Sequence, residues 1–441
     1  GNVDISAASS YVAFGSEAWI VSGSWSNNST SASWAHGSGT VTFNSSASQT
    51  MTFAGSNLNG NEFNAVAFHS VSSTATFTLA GRGLTANTVT IQGGAGTTTL
   101  TTSGSNLPLS ADTLIVASGG ALVANGSTIT LKNFDTSAGT FTANTSVVVV
   151  NMSGGIIRVP QALSSLTVNP GVTTSFASNI AWSVVLTLTG STATFAGNLN
   201  SVGSAALLFT NATVAIAGSW NTSSASGFTA TGSSVTFTGS GQTVATGAGQ
   251  QFATLTISGS IVLASNLAAS SLAVGASGTL TKTNYSITFN DLTVNGTIAD
   301  GSVRVTNLSV TNSDGTALVT IPVFSTWSTG SEYAWTHSSS ETSQTVTWTI
   351  GGNTAGDAYS VTKDGSSFTK GTVNSSGQAV FTMLGSDPTM RVTVTAPLLV
   401  VPPSSDWWRT PYLLAIPPIG LLVVVAMFAQ RQRWRPAKAF L

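Results

Sequence analysis

The 441-residue chain contains no cysteine. A disulfide framework, a thiolate metal site and a cysteine nucleophile are therefore excluded. Charged residues make up only 6% of the chain, whereas an ordinary globular domain has about 25%. All 14 acidic residues but only 8 of the 13 basic residues lie within residues 1–406, which gives this part a net formal charge of −6. A mildly acidic exterior without a basic patch gives no support to a nucleic-acid partner.

The usual signatures of catalysis are also missing. The sequence has neither a G-x-S-x-G elbow nor a P-loop. Enzymes that cleave polysaccharides need two or three carboxylates, or Asp with Arg and Lys, on one face. The candidates are scattered along the chain: Asp112, Asp135, Asp291, Asp300, Asp314, Arg82, Lys132, Arg158 and Arg304. Stacking can still bring distant residues together, so a polysaccharide-active enzyme stays as the least favoured alternative. We expect no enzyme and no cofactor.

Metal-binding patterns are equally weak. His36, His69 and His337 lie far apart and lack the paired spacing of a metal site. One loose group of oxygen ligands consists of Asp300-Gly301, Asn307, Asn312 and Asp314-Gly315. Two carboxylates are few for calcium, so a pair of turns explains this segment better. No metal site is predicted.

The residues that replace charge favour β structure. Apolar residues make up 41% of the chain and are spread steadily along it, which argues against disorder. Val, Ile and Thr alternate with clusters of Gly, Ser and Asn, as is typical of strands joined by turns. We expect an all-β chain with hardly any helix before its C-terminal end.

Two segments share a frame that indicates an internal duplication. GSWSNNSTSASWAHGSGTVTFNSSASQTM begins at Gly23, and GSWNTSSASGFTATGSSVTFTGSGQTV begins at Gly218. Both contain GSW, then an aromatic residue (Trp34 or Phe228), then VTF and QT. An alternating apolar segment follows in each, FNAVAF from Phe63 and FATLTI from Phe252.

A shorter unit, an alternating strand followed by a turn, recurs more widely. The copies are TVTIQGG at Thr88, TLIVASGG at Thr113, SLTVNPG at Ser165, TLTISGS at Thr254, SLAVGASG at Ser271 and DLTVNG at Asp291. Such a period indicates a stacked solenoid, because one unit is too small to bury its own face. Neighbouring coils of a parallel β-helix lie about 4.8 Å apart. Like charges stacked at this spacing would repel each other, whereas stacked Thr and Asn side chains can form hydrogen bonds. With ~20 residues per coil, residues 39–318 would form ~14 coils and a rod ~65 Å long. A string of β-sandwiches is the alternative fold.

Both copies of the frame resemble the β-helical repeats of prokaryotic cell-surface proteins, many of them archaeal and S-layer-like. The segments that carry the resemblance are GTVTFNSSASQT with FNAVAF in the first copy, and SSVTFTGSGQT with FATLTISGS in the second. The resemblance covers about residues 20–318. It implies a right-handed parallel β-helix-like solenoid and a place on the cell surface. Its motifs are degenerate, so the resemblance identifies no catalytic residue in this chain.

The composition changes near Ile321, where aromatic residues become denser and charges more frequent. VTWTI, AYSVTKDGSSFTKGTV, SGQAVFTML and MRVTVTA alternate like antiparallel strands. We interpret residues 1–38 as an N-terminal cap or first strands, 39–318 as the β-helical region, and 319–397 as a membrane-proximal β-sandwich. Residues 398–409, with adjacent prolines, form a stiff linker.

The C-terminal end has the features of a membrane anchor. Residues 411–429 contain no charge, which is about the length needed to cross a ~30 Å hydrocarbon core as a helix. We therefore expect a transmembrane helix over 410–430 and a basic cytoplasmic tail over 431–441, with the N-terminal part outside the cell. The residues expected at the membrane interface are Trp407, Trp408, Arg409, Arg431, Arg433, Trp434 and Arg435.

Twelve Asn-X-Ser/Thr sequons lie in the expected exterior part and make the chain a candidate glycoprotein. They are Asn27, Asn28, Asn44, Asn125, Asn144, Asn151, Asn211, Asn221, Asn284, Asn295, Asn307 and Asn374. In a chain rich in Asn, Ser and Thr many arise by chance, so unmodified turn asparagines remain an alternative for each.

These features favour a structural cell-surface protein that packs laterally with its own kind in a surface layer or coat. Its expected partners are further copies of itself, membrane lipid, and other envelope proteins or glycans. A virion envelope protein would have the same architecture. An adhesin that binds glycans or another cell is the second hypothesis, with Trp327, Trp335 and Trp348 either as an exposed sugar platform or as core residues.

Overall fold

A computed structural model describes residues 1–5, 12–13, 15–28, 34–35, 37–53, 63–102, 105–313, 318–340, 343–384 and 389–396. The linker over 398–409, the transmembrane helix over 410–430 and the tail over 431–441 lie outside these described residues. The same is true of the interface residues Trp407, Trp408, Arg409, Arg431, Arg433, Trp434 and Arg435.

The described residues form 43 β-strands and no helix. Strands β1 to β34 take part in parallel pairs: β1 (Val3–Ile5), β2 (Val12–Ala13), β3 (Trp19–Val21), β4 (Trp25–Asn27), β5 (Trp34–Ala35), β6 (Thr40–Ser45), β7 (Gln49–Phe53), β8 (Phe63–Ser70), β9 (Ala75–Gly81), β10 (Leu84–Gln92), β11 (Thr98–Thr101), β12 (Leu109–Val116), β13 (Gly120–Val123), β14 (Thr128–Asp135), β15 (Thr140–Thr142), β16 (Val147–Val150), β17 (Gly155–Arg158), β18 (Leu163–Val168), β19 (Thr173–Phe176), β20 (Ile180–Thr189), β21 (Thr192–Phe195), β22 (Leu199–Ser201), β23 (Ala206–Thr210), β24 (Thr213–Ile216), β25 (Trp220–Asn221), β26 (Gly227–Thr229), β27 (Ser234–Phe237), β28 (Gln242–Ala245), β29 (Phe252–Ile257), β30 (Ser260–Leu263), β31 (Leu267–Val274), β32 (Thr279–Thr281), β33 (Ile287–Val294) and β34 (Thr297–Asp300). Strands β35 to β43 pair in antiparallel fashion: β35 (Val303–Val305), β36 (Leu308–Asn312), β37 (Val319–Ser328), β38 (Glu332–Ser339), β39 (Thr345–Ile350), β40 (Ala358–Lys363), β41 (Ser366–Thr372), β42 (Ala379–Leu384) and β43 (Thr389–Thr395).

The parallel strands build a β-solenoid of about 13 turns. At a strand spacing of about 4.8 Å this stack is roughly 60 Å long. The repeats predicted from the sequence stack in register, since Thr88 lies over Thr113 and Ser271 lies between Thr254 and Asp291. The prediction of a parallel β-helical solenoid is confirmed, and the alternative of tandem sandwiches is wrong for this region.

Alternating side chains create the core of the solenoid. In β19 and β21 the inward residues Phe176 and Phe195 are buried, while Thr173 and Thr192 face outward. The two rings stack with centroids 4.4 Å apart and planes 7° apart. Corners between strands are tight, because a Cβ on Gly93 would lie 2.6 Å from Cα of Gly119 in the next coil. Glycine is therefore needed where coils cross at this corner.

The predicted duplication is visible in the packing. Trp25 packs edge-on against Phe43 and Phe63, with ring centroids 5.7 and 5.5 Å away. Trp220 packs in the same way against Phe237 at 6.2 Å and is tilted against Phe252 at 5.2 Å.

Polar contacts repeat with the aromatic ones. The Ser24 hydroxyl donates to Oε1 of Gln49 at 2.9 Å, and the Ser219 hydroxyl donates to Oε1 of Gln242 at 3.2 Å. The GSW and QT segments therefore perform the same structural task in both copies.

The parallel stack begins at β1 and ends at β34, after which the chain continues without leaving the sheet. Strands β36 and β37 both pair antiparallel with β33, and β35 pairs antiparallel with β34. One continuous set of buried apolar residues extends from Ile5 to Val394. The antiparallel strands are thus joined directly to the last coil of the solenoid.

Candidate functional surfaces

Two stacked columns of mostly hydroxyl-bearing side chains form a regular surface on the outside of the solenoid. In-register pairing aligns one outward column of Thr173, Thr192, Thr213, Ser234, Thr254, Ser271 and Asp291, and a second of Ser175, Thr194, Ala215, Thr236, Thr256, Ala273 and Thr293. We call these two columns the hydroxyl face. Seven strands at about 4.8 Å spacing make it roughly 29 Å long. Asp291 is its only charged member, so the face can approach another neutral surface with little electrostatic repulsion.

Two ion pairs on the described part of the chain lie partly exposed to solvent. Arg158 lies 3.5 Å from Asp135, and Arg391 lies 2.6 Å from Glu332, with both pairs partly exposed to solvent. Burial raises the pKa of Asp135, but hydrogen bonds from Ser137 and the guanidinium of Arg158 outweigh it, so the pKa is below its ordinary value.

A buried ion pair lies where the solenoid meets the antiparallel strands. Nζ of Lys282 is 3.0 Å from Oδ2 of Asp300, and the lysine side chain is fully buried. Nζ also donates to the backbone carbonyls of Tyr285 at 2.9 Å and Pro322 at 2.5 Å. Oδ2 of Asp300 accepts from the backbone N–H of Phe324 at 2.8 Å. The pair therefore joins the last coil to β37 through hydrogen bonds of both charged groups.

Sequence reasoning did not identify Lys282. The lysine and Asp300 are separated by a whole coil, and the lysine lies in no recognisable motif. The available signal was a lysine within the apolar alternation TLTKTNYSITF from Thr279, because an unpaired charge is seldom buried.

The loose calcium-ligand group is used for other contacts. Asp300 is bound to Lys282. Asn307 has a positive φ of 53°, as expected of a turn residue. Nδ2 of Asn312 donates to Oε1 of Gln344 at 2.6 Å. Asp314 and Gly315 lie outside the described residues.

The two histidines that the structure describes have different partners. Nδ1 of His69 is 3.0 Å from Oδ1 of Asn44 in the neighbouring coil. His337 is buried, with its ring centroid 5.2 Å from that of Trp348. His36 lies outside the described residues. Nowhere in the described ranges do three His, Asp or Glu side chains gather at metal-binding distance.

The proposed sugar platform is mostly core. Trp335 and Trp348 are 1% and 0% exposed, and their ring centroids lie 4.5 Å apart. Trp327 is partly buried and donates from Nε1 to the carbonyl of Thr306 at 3.1 Å. The prediction of an exposed platform formed by Trp335 and Trp348 is therefore wrong, because the antiparallel strands turn both rings inward.

Two tyrosines in the same region are also affected by burial. Burial raises the pKa of Tyr333 and of Tyr359.

The twelve sequons differ in accessibility. Nine are exposed: Asn28, Asn144, Asn151, Asn211, Asn221, Asn284, Asn295, Asn307 and Asn374. Asn44 and Asn125 are half-buried, whereas Asn27 is only 6% exposed. Four of them, Asn125, Asn144, Asn211 and Asn307, have positive φ values of 49–53°. Asparagine tolerates this conformation at turns, so these positions already have a backbone role.

Of the residues that the structure describes, none belongs to a helix long and apolar enough to cross a membrane. Comparison of the chain with protein-family models, with curated proteins and with solved structures finds no match.

Proposed function

We propose that this protein is a structural component of a cell surface that packs laterally against further copies of itself. The single observation that carries the proposal is the hydroxyl face, a hydrogen-bonding surface with one charged member on a stack of paired coils. Soluble proteins usually keep their surfaces charged, since low charge promotes association. Here charge is sparse throughout residues 1–406, which fits a surface that is meant to associate.

The finer architecture belongs to the same proposal. The solenoid winds in the right-handed sense, residues 319–397 act as a membrane-proximal β-sandwich, and a helix over 410–430 anchors the chain. Interface residues Trp407, Trp408, Arg409, Arg431, Arg433, Trp434 and Arg435 then place the basic tail in the cytoplasm. This arrangement holds the solenoid outside the cell, where accessible sequons can carry glycans.

Electron microscopy of intact envelopes, combined with charge insertion, tests the lateral packing. Thr192→Lys with Thr254→Lys places two like charges on the hydroxyl face, and a repeated contact between copies should be lost. Thr128→Lys with Thr142→Lys is the matched control, because both residues are exposed and lie outside that face. An ordered array that persists in the first variant, or a sparse distribution of the unmodified protein, would refute lateral packing through this face.

A further inference from the structure

An uncharged groove crosses several coils on the outside of the solenoid. Its volume is about 540 Å³, and its lining contains no charged residue. The floor is one outward column in which Ala181, Asn200, Asn221 and Ala245 occupy successive coils. Ala264 follows in the next coil. Small alanine side chains thus occupy both ends of the column, and the two asparagines lie between them.

A second ladder forms one wall of the groove. Oδ1 of Asn179 accepts the backbone N–H of Asn198 at 2.8 Å, and Oδ1 of Asn198 accepts the backbone N–H of Ser219 at 2.8 Å. The Ser219 hydroxyl in turn accepts the backbone N–H of Thr243 at 3.1 Å. Each bond joins one coil to the next. The orientation of both carboxamides is therefore fixed by the backbone of the solenoid.

The same bonds leave amide donors available in the groove. Since Oδ1 of Asn179 and Asn198 is occupied, each Nδ2 group can donate to a ligand. Oδ1 of Asn221 accepts from the backbone N–H and the hydroxyl of Ser223, at 3.2 and 2.7 Å. None of these Nδ2 groups, nor that of Asn200, has a partner within the described part of the chain. Four amide donors thus line one groove with their acceptor atoms largely committed elsewhere.

We propose that this groove binds a neutral carbohydrate chain that lies along the solenoid axis. Hydroxyl and ring oxygens of sugars are acceptors for fixed amide donors, and the exposed hydroxyl of Thr243 adds a further partner. A charged polysaccharide would find no counter-charge among the lining residues. The repeat of donors every ~4.8 Å along the stack suits an extended polymer rather than a compact small molecule. This inference does not depend on lateral packing.

The test uses full-length protein in a detergent without a sugar head group. It is produced in a host without N-glycosylation, because a glycan on Asn221 would itself occupy the groove. Calorimetric titration with linear neutral hexasaccharides of glucose, mannose and N-acetylglucosamine is compared with hexagalacturonate. We expect at least one neutral hexasaccharide to bind and hexagalacturonate to bind at least tenfold more weakly.

Two double variants locate the binding. Asn198→Asp with Asn200→Asp removes Nδ2 donors but keeps the Oδ1 acceptor that Ser219 uses, and binding should weaken at least tenfold. Asn106→Asp with Asn266→Asp is the control, because these asparagines accept the backbone N–H groups of Gly126 and Ser286 in the same way but do not line the groove. The control should bind like the unmodified protein. Failure of all neutral hexasaccharides to bind, equal binding of hexagalacturonate, or equal losses in both variants would overturn the proposal. Binding in a protein that forms no lattice would refute only the proposed function.

Discussion

Nζ of Lys282 and Oδ2 of Asp300 lie 3.0 Å apart at the end of the solenoid, in a place that water hardly reaches. The lysine belongs to the segment after β32, and the aspartate ends β34. Both groups also bond to the first long antiparallel strand, β37, through the carbonyl of Pro322 and the N–H of Phe324. The pair therefore couples the stability of the last coil to that of the antiparallel strands.

Lys282→Met should lower the free energy of unfolding by about 3–5 kcal/mol, because it leaves a buried carboxylate without its partner. Adding Asp300→Asn should restore part of the loss, since the amide stays neutral and can still accept from Phe324. Denaturant unfolding followed by circular dichroism measures both. At the partly exposed pair, Arg158→Met should cost less than about 1 kcal/mol. Equal effects at Lys282 and Arg158 would contradict this interpretation.

Unfolding should depend on pH chiefly in the alkaline range. Burial raises the pKa of Tyr333 and Tyr359 in the folded state, while the unfolded value is about 10. The folded state then retains protons that the unfolded chain releases, so stability is fully present below the unfolded pKa and falls as pH rises above it. The double variant Tyr333→Phe with Tyr359→Phe should lose less stability as the pH rises above about 10, the unfolded value, even if its free energy of unfolding at neutral pH is lower. An unchanged slope would show that other groups cause it.

Acid should have little effect between pH values of roughly 3 and 7, given the few carboxylates. Asp135 contributes in the expected direction. Its pKa is lowered in the folded state, where burial is outweighed by the hydrogen bonds of Ser137 and the charge of Arg158. Its small stabilisation is present above the unfolded pKa and is lost as pH falls through the folded pKa. A midpoint of denaturant unfolding that changes steeply across this range would contradict the expectation.

The two copies of the duplicated frame should respond differently to the same truncation. Trp220→Ala opens a cavity in the middle of the stack and should cost about 3–5 kcal/mol of global stability. Trp25→Ala removes an equivalent ring near the first coils. These coils can unfold locally while the remaining coils of the solenoid stay folded. Hydrogen exchange should therefore show protection lost mainly over β1 to β9 in the Trp25 variant. Uniform loss of protection in that variant would indicate that the solenoid unfolds as one unit.

A chain that ends at Asp406 should be secreted, soluble and rich in β structure, because the described residues up to 396 already bury a continuous apolar core. Full-length protein should need detergent if residues 410–430 form a membrane helix. Membrane fractionation and circular dichroism of both forms measure this. Full-length protein that washes off membranes with salt alone, or an unfolded truncated chain, would refute the division into exterior part and anchor.

Much of the fold was predictable from the sequence because stacking imposes a local pattern. Alternation at Thr254 and Ser271 predicted strands, and their in-register pairing follows once coils repeat. The contact between Lys282 and Asp300 was not predictable, since it depends on how a corner approaches the next strand. The direction of the Trp335 and Trp348 rings also could not be read from alternation alone, because either face of an antiparallel strand can be inward. The groove escaped notice for a similar reason, as Asn200 and Asn221 become neighbours only across coils.

The antiparallel closure of β33 has a consequence for polymerisation. A parallel stack with an open last strand is a template on which identical chains could add without limit, as in amyloid fibres. Here β31 occupies one side of β33, and β36 and β37 occupy the other. The reversal of strand direction therefore removes the parallel edge of β33 as a template for a further coil.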